Sequence, residues 1–96
     1  MRIIVHPAAR RELDDALSWS RATFGDRTAA RLRSRFDQVG QMLMRQPEAG
    51  APAAEQTRKF RLGKFPYSLV YRLQGNVITV IAVAHQSRQP DYWAGR

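Results

Sequence analysis

Apolar residues recur along this chain in two rhythms, a helical one in its first half and a strand-like one in its second. From Ala8 to Phe24, the apolar positions Leu13, Ala16 or Leu17, and Phe24 fall at helical spacing. Arg10, Arg11, Asp14, Asp15 and Arg21 fall mostly elsewhere, which predicts an amphipathic helix. Ala29, Leu32, Phe36, Val39 and Leu43 form a second stripe that runs until Pro47, opposite a face carrying Arg31, Arg35, Gln38 and Arg45. Gly25 suits the left-handed residue that closes the first helix, and Asp26 suits the N-cap of the next. The prediction is a hairpin of two helices, near Ala8 to Phe24 and Asp26 to Arg45. Ahead of it, Met1 to His6 holds Ile3, Ile4 and Val5 and reads as a short strand, with Pro7 placed for the first turn of a helix.

The second half changes period. Gln46 to Gln56, with two prolines and a glycine, reads as a mobile crossing loop. Thr57 to Leu62 reads as a strand with Lys59 and Arg61 on one side, although Arg58 shares parity with the apolar Phe60 and Leu62. Gly63 and Lys64 turn the chain. Phe65 to Leu73 and Val77 to His85 then form a hairpin about Gly75 and Asn76, residues that tolerate positive φ. Pairing Gln74 with Val77 puts Tyr67, Leu69, Tyr71 and Leu73 on one face with Ile78, Val80, Ala82 and Ala84. That face is expected to be the core, with Leu13, Leu17, Leu32, Phe36, Leu69, Tyr71, Val80 and Ala82 buried. The other face, with Ser68, Val70 and Arg72 against Thr79, Ile81 and Val83, is half polar and a candidate binding surface.

Composition narrows the function. A chain of 96 residues, 44% hydrophobic and 25% charged, is expected to be a single domain, residues 1–96. Its longest apolar run, Val77 to Ala84, is far too short to span a membrane, and MRIIVHPAARREL holds no secretory signal, so a cytoplasmic location is expected. There is no cysteine and there are two isolated histidines, His6 and His85, so neither a metal nor another cofactor is expected. A net charge of +8 asks for an anionic partner, either nucleic acid or an acidic protein segment. Nine basic residues stand against six acidic ones up to Glu48, and seven against two beyond it, so the sheet half is the more purely basic.

Several features together resemble a known family: the opening strand, Pro7 with Ala9 and Leu13 on a first helix, the helical hairpin, Pro47 then Gly50, and finally FPYSLVYR followed by VIAVAHQSRQPDYW. The chain resembles the RelE/ParE superfamily of toxins from type II toxin–antitoxin systems, also met as plasmid stabilisation proteins, over essentially its whole length. The resemblance implies an α+β fold, β-α-α-β-β-β, with the helical hairpin packed on one face of a small, mainly antiparallel sheet. It also implies a cognate antitoxin and one of two targets. RelE-like members cut ribosome-bound mRNA, whereas ParE-like members poison DNA gyrase and lack the cutting site.

Two departures favour the ParE-like branch. RelE-like toxins carry an arginine just after the aromatic that corresponds to Tyr67, and a second just after the fourth strand; this chain has Ser68 and Gln86. Attack by a 2′-hydroxyl needs a base, positive charge on the phosphate and an acid for the leaving oxygen. If the chain cuts RNA, His85, Arg88 and Tyr92 are the candidates for base, phosphate clamp and acid. Otherwise His85 simply ends a strand, while Tyr92 and Trp93 anchor the tail. Arg58, Arg61 and Arg72 are the candidates for docking an acidic antitoxin or the target, and the arginines of the second helix read as a solvated face. A non-toxic nucleic-acid-binding module is the third reading. It suffers because Tyr67 and Tyr71 point by parity into the core rather than out for base stacking.

Overall fold

The computed structural model describes residues 1–96. Strand β1 (Arg2–Val5) leads into helix α1 (Pro7–Phe24) and helix α2 (Asp26–Arg45), followed by strands β2 (Ala51–Ala53), β3 (Thr57–Arg61), β4 (Tyr67–Gln74) and β5 (Val77–His85). The five strands form one sheet in the order β1-β5-β4-β3-β2, antiparallel except for the β1–β5 pair. The helical hairpin covers one face, as the β-α-α-β-β-β expectation required, with one short strand added. No helix is long and apolar enough to cross a membrane.

Local chemistry explains the helix ends. Pro7 starts α1, where its missing N–H costs nothing, and the Ala8 amide donates to His6 Nδ1 at 3.0 Å. Gly25 joins the two helices at φ 96°, in a region that side chains avoid. It also takes the N-cap position expected of Asp26, which is instead the first helical residue and pairs with Arg21 at 3.3 Å.

The α2 stripe is buried as its periodicity predicts: Ala29, Leu32, Phe36, Val39 and Leu43 all face inward. On α1 the buried positions are Ala9, Leu13, Ala16 and Ser20, with Leu17 only half-buried. Phe24, expected on that stripe, is 63% exposed. The chain reverses at Gly25 before Phe24 can reach the sheet, and the ring instead meets the exposed Trp19 edge-on at 5.6 Å.

The hairpin register holds from Gln74↔Val77 to Tyr71↔Val80 and then shifts by one residue, so that Val70 pairs with Ala82. Ile81 is the extra residue of a β-bulge. Beyond it the faces exchange: Val83 joins the helix-side core, while Ala82 and Ala84, expected there, lie on the opposite face with Val70 and Ile81. Ala82 is buried as expected, but under the C-terminal tail. That outer face is therefore closed where parity left it open: Trp93, 2% exposed, packs against it.

The crossing segment is also better ordered than its composition suggested. Ala51–Ala53 pairs with β3 as an edge strand. The buried Tyr71 hydroxyl donates to the Pro47 carbonyl at 2.7 Å and accepts from the Gly50 amide at 2.9 Å, which ties the segment to the core. A Cβ at Gly50 would stand 2.8 Å from the Tyr71 ring, so only glycine allows this approach.

Candidate functional site

Strand β1 ends opposite Val80, which leaves the outer edge of β5 beyond that point without a neighbouring strand. Exposed ladder groups need partners, and here side chains supply them. The Val83 amide donates to Glu12 Oε1 at 3.1 Å, and Arg96 donates to the Ile81 carbonyl at 3.1 Å. Arg96 also binds both oxygens of Glu12, at 2.9 and 3.2 Å, and the Tyr92 hydroxyl donates to Glu12 Oε2 at 2.6 Å. One carboxylate from α1 thus gathers the strand edge, the tail tyrosine and a terminal arginine.

This arrangement fixes the chemistry of Tyr92. Burial and the hydrogen bond to anionic Glu12 push its phenol well above the ordinary tyrosine value, and nearby Arg88 and Arg96 only partly offset them. Arg88 lies over its ring at 3.9 Å and Arg96 at 5.3 Å, so the ring is clasped by two guanidinium groups. Giving up the proton would put a phenolate against a carboxylate. The hydroxyl is a structural donor.

His85 closes β5 edge-on to Tyr67 at 5.0 Å. Its Nδ1 accepts the Ser87 amide at 3.0 Å, and the Ser87 hydroxyl lies 2.7 Å from the same nitrogen. An acceptor Nδ1 places the neutral ring's proton on Nε2, so the outward nitrogen is a donor. In this tautomer the ring presents no free lone pair to a substrate hydroxyl.

His85, Arg88 and Tyr92 do border one groove, of about 450 Å³, together with Lys59, Arg61, Ser68 and Gln86. The Arg61 side chain is exposed there, its only hydrogen bond a long one to the Phe65 carbonyl at 3.5 Å. The other two docking candidates lie elsewhere. Arg58 pairs opposite Tyr71, on the helix side, and donates to the carbonyls of Glu48 and Gly50. Arg72 holds the Glu55 carbonyl at 3.3 Å and the Arg96 backbone oxygen at 3.4 Å, binding the turn before β3 to the tail. Glu55 returns the contact by accepting from the Gly95 amide at 3.0 Å.

Sequence reasoning missed Glu12, Ser87, Lys59 and Arg96. Lys59 carried a signal, sharing the charged side of its strand with Arg61, and so did Glu12, as an acid beside the buried Leu13 on a helix facing the more basic half of the chain. Ser87 becomes visible only once the turn after β5 is folded back on His85.

The family described as ParE toxin of type II toxin-antitoxin system, parDE, matches residues 3–90. No curated protein matches the chain. A solved structure titled as the chromosomal ParDE TA system from P. aeruginosa superposes with a TM-score of 0.77, covering 88% of this chain and 95% of that one at 18% identity. At that identity the likeness speaks for the fold.

Proposed function

Because the chain belongs to the ParE toxin family of type II toxin–antitoxin systems, we propose that it arrests growth by binding DNA gyrase, without cutting RNA. A small acidic antitoxin neutralises it by direct binding, and the pair acts in the cytoplasm.

The state of the groove around His85 carries this reading. RNA cleavage needs a free base, a free acid and cations on the phosphate. Here His85 turns a donor outward, Tyr92 spends its proton on Glu12, and Ser68 and Gln86 stand where RNA-cutting relatives hold arginines. Lys59, Arg61 and Arg88 line the groove against the single carboxylate of Asp91, which suits an acidic peptide better than a reaction. Arg61 is the leading docking residue. Arg58 and Arg72 act from behind it, by holding the crossing segment and the turn before β3.

The test is a supercoiling assay with purified gyrase and relaxed plasmid, titrated with this chain. Inhibition that rises with toxin and is relieved by the antitoxin encoded beside it is the expected result. Undiminished supercoiling at a large molar excess of folded toxin would remove gyrase as the target.

A further inference from the structure

The solvent face of α2 carries a second basic feature, with a lining that shares no residue with the groove around His85. Arg27, Arg31 and Arg35 stand one helical turn apart on one side of the helix, and Lys64, from the turn between β3 and β4, closes the other wall of a groove of about 610 Å³. Sequence reasoning treated these arginines as a solvated face. The structure adds three facts.

First, none of the four cations makes an ion pair or a side-chain hydrogen bond. Three acids of the hairpin are already engaged, Asp14 with Arg10, Asp26 with Arg21 and Asp37 with Arg33, and the remaining ones, Glu12 and Asp15, do not line this groove. Second, no carboxylate lines the groove. Third, Arg35 lies against Gly63, whose added Cβ would come within 2.9 Å of the guanidinium, so a residue without a side chain makes room for it. Four exposed, unpaired cations around one trench make it a locally positive surface that attracts an anion.

The lining chooses between anions. An acidic amphipathic helix needs apolar anchors along its groove, and only Ala30 and Phe65 are apolar here. Thr28, Ser34 and Gln38 instead offer short polar groups that suit phosphate oxygens. Single-stranded nucleic acid asks for exposed aromatic platforms, and Phe65 is half-buried. We propose that this face of α2, with Lys64, binds the sugar–phosphate backbone of double-stranded nucleic acid without reading sequence. This second surface does not depend on the gyrase reading.

Fluorescence anisotropy with a labelled DNA duplex of arbitrary sequence, titrated with the full chain over a range of salt, tests it. Four phosphate contacts predict a slope of log affinity against log salt of about −3.6. The double variant Arg31→Gln/Arg35→Gln should halve the slope and weaken low-salt binding by about tenfold. Arg2→Gln/Arg11→Gln removes the same charge from exposed, unpaired positions elsewhere and should leave both within about twofold. Equal losses in the two double variants would show that binding follows net charge alone and would overturn the site. So would absence of duplex binding at low salt. A polyglutamate peptide that binds more tightly than the duplex, and loses that binding in Arg31→Gln/Arg35→Gln, would give the groove to an acidic protein instead.

Discussion

Toward the helices, the sheet presents Leu69, Tyr71, Ile78, Val80 and Val83 to an apolar interior built from two amphipathic stripes. On the other side, Val70, Ile81, Ala82 and Ala84 are closed by one large tail residue, Trp93. The first face is held by area and the second by polar pins, namely Glu12 with Tyr92 and Arg96, and Arg72 with Glu55. Apolar packing is non-directional and survives small shifts, whereas a charge-assisted cluster depends on geometry and leaves a polar group short of a partner when one member is removed. The polar-pinned face is also the one that borders the candidate groove. Fixing the tail there costs the chain its free proton-transfer groups.

The largest expected effect separates the two faces directly. Leu69→Ala opens a cavity under the helices and should cost about 2–5 kcal/mol in denaturant unfolding. Trp93→Ala removes a larger side chain, yet the tail can release before the sheet unfolds. Its global cost should be smaller, about 1–2 kcal/mol, with faster hydrogen exchange at Val83 as the local sign. A Trp93→Ala loss equal to or above that of Leu69→Ala, with Val83 still protected, would make the tail part of the main core.

A smaller effect probes the pins. Tyr92→Phe removes one hydrogen bond to a carboxylate and should cost about 1–2 kcal/mol. The effect depends on pH in a fixed direction. The folded-state phenol titrates above its unfolded value of 10.0, so its contribution is complete below that pH. Above it, the unfolded chain ionises its tyrosine first and the contribution is lost. Tyr67, also raised by burial, acts in the same direction. Stability of the unaltered protein should therefore fall more steeply in strong alkali than that of Tyr92→Phe. Parallel curves would show that Glu12 does not hold the hydroxyl.

Much of this was legible in the sequence. Helix periodicity located α2 and its buried stripe residue by residue, because a helix that packs along its whole length repeats one geometric rule. Strand parity was legible only as far as the rule ran unbroken. It held from the turn to Val80 and failed at Ile81, since a bulge without glycine leaves no mark in a row of β-branched residues. Phe24 shows the same limit at a helix end, where the reversal of the chain overrides the stripe. Within the candidate site, His85, Arg88 and Tyr92 were foreseen as neighbours, and the structure places them along one groove. Their chemical states were not foreseen, because these depend on Glu12 and Ser87, one of them some 80 residues away in the chain from the tyrosine it binds.

The central claim is that the groove beside the tail docks a partner and performs no proton transfer. Primer extension on ribosome-bound transcripts, after induction of the unaltered protein and of His85→Ala, tests this most directly. No decoding-site cuts should appear with either protein, and growth arrest should persist in both. Cuts made by the unaltered protein that vanish in His85→Ala would make His85 a general base and contradict the account.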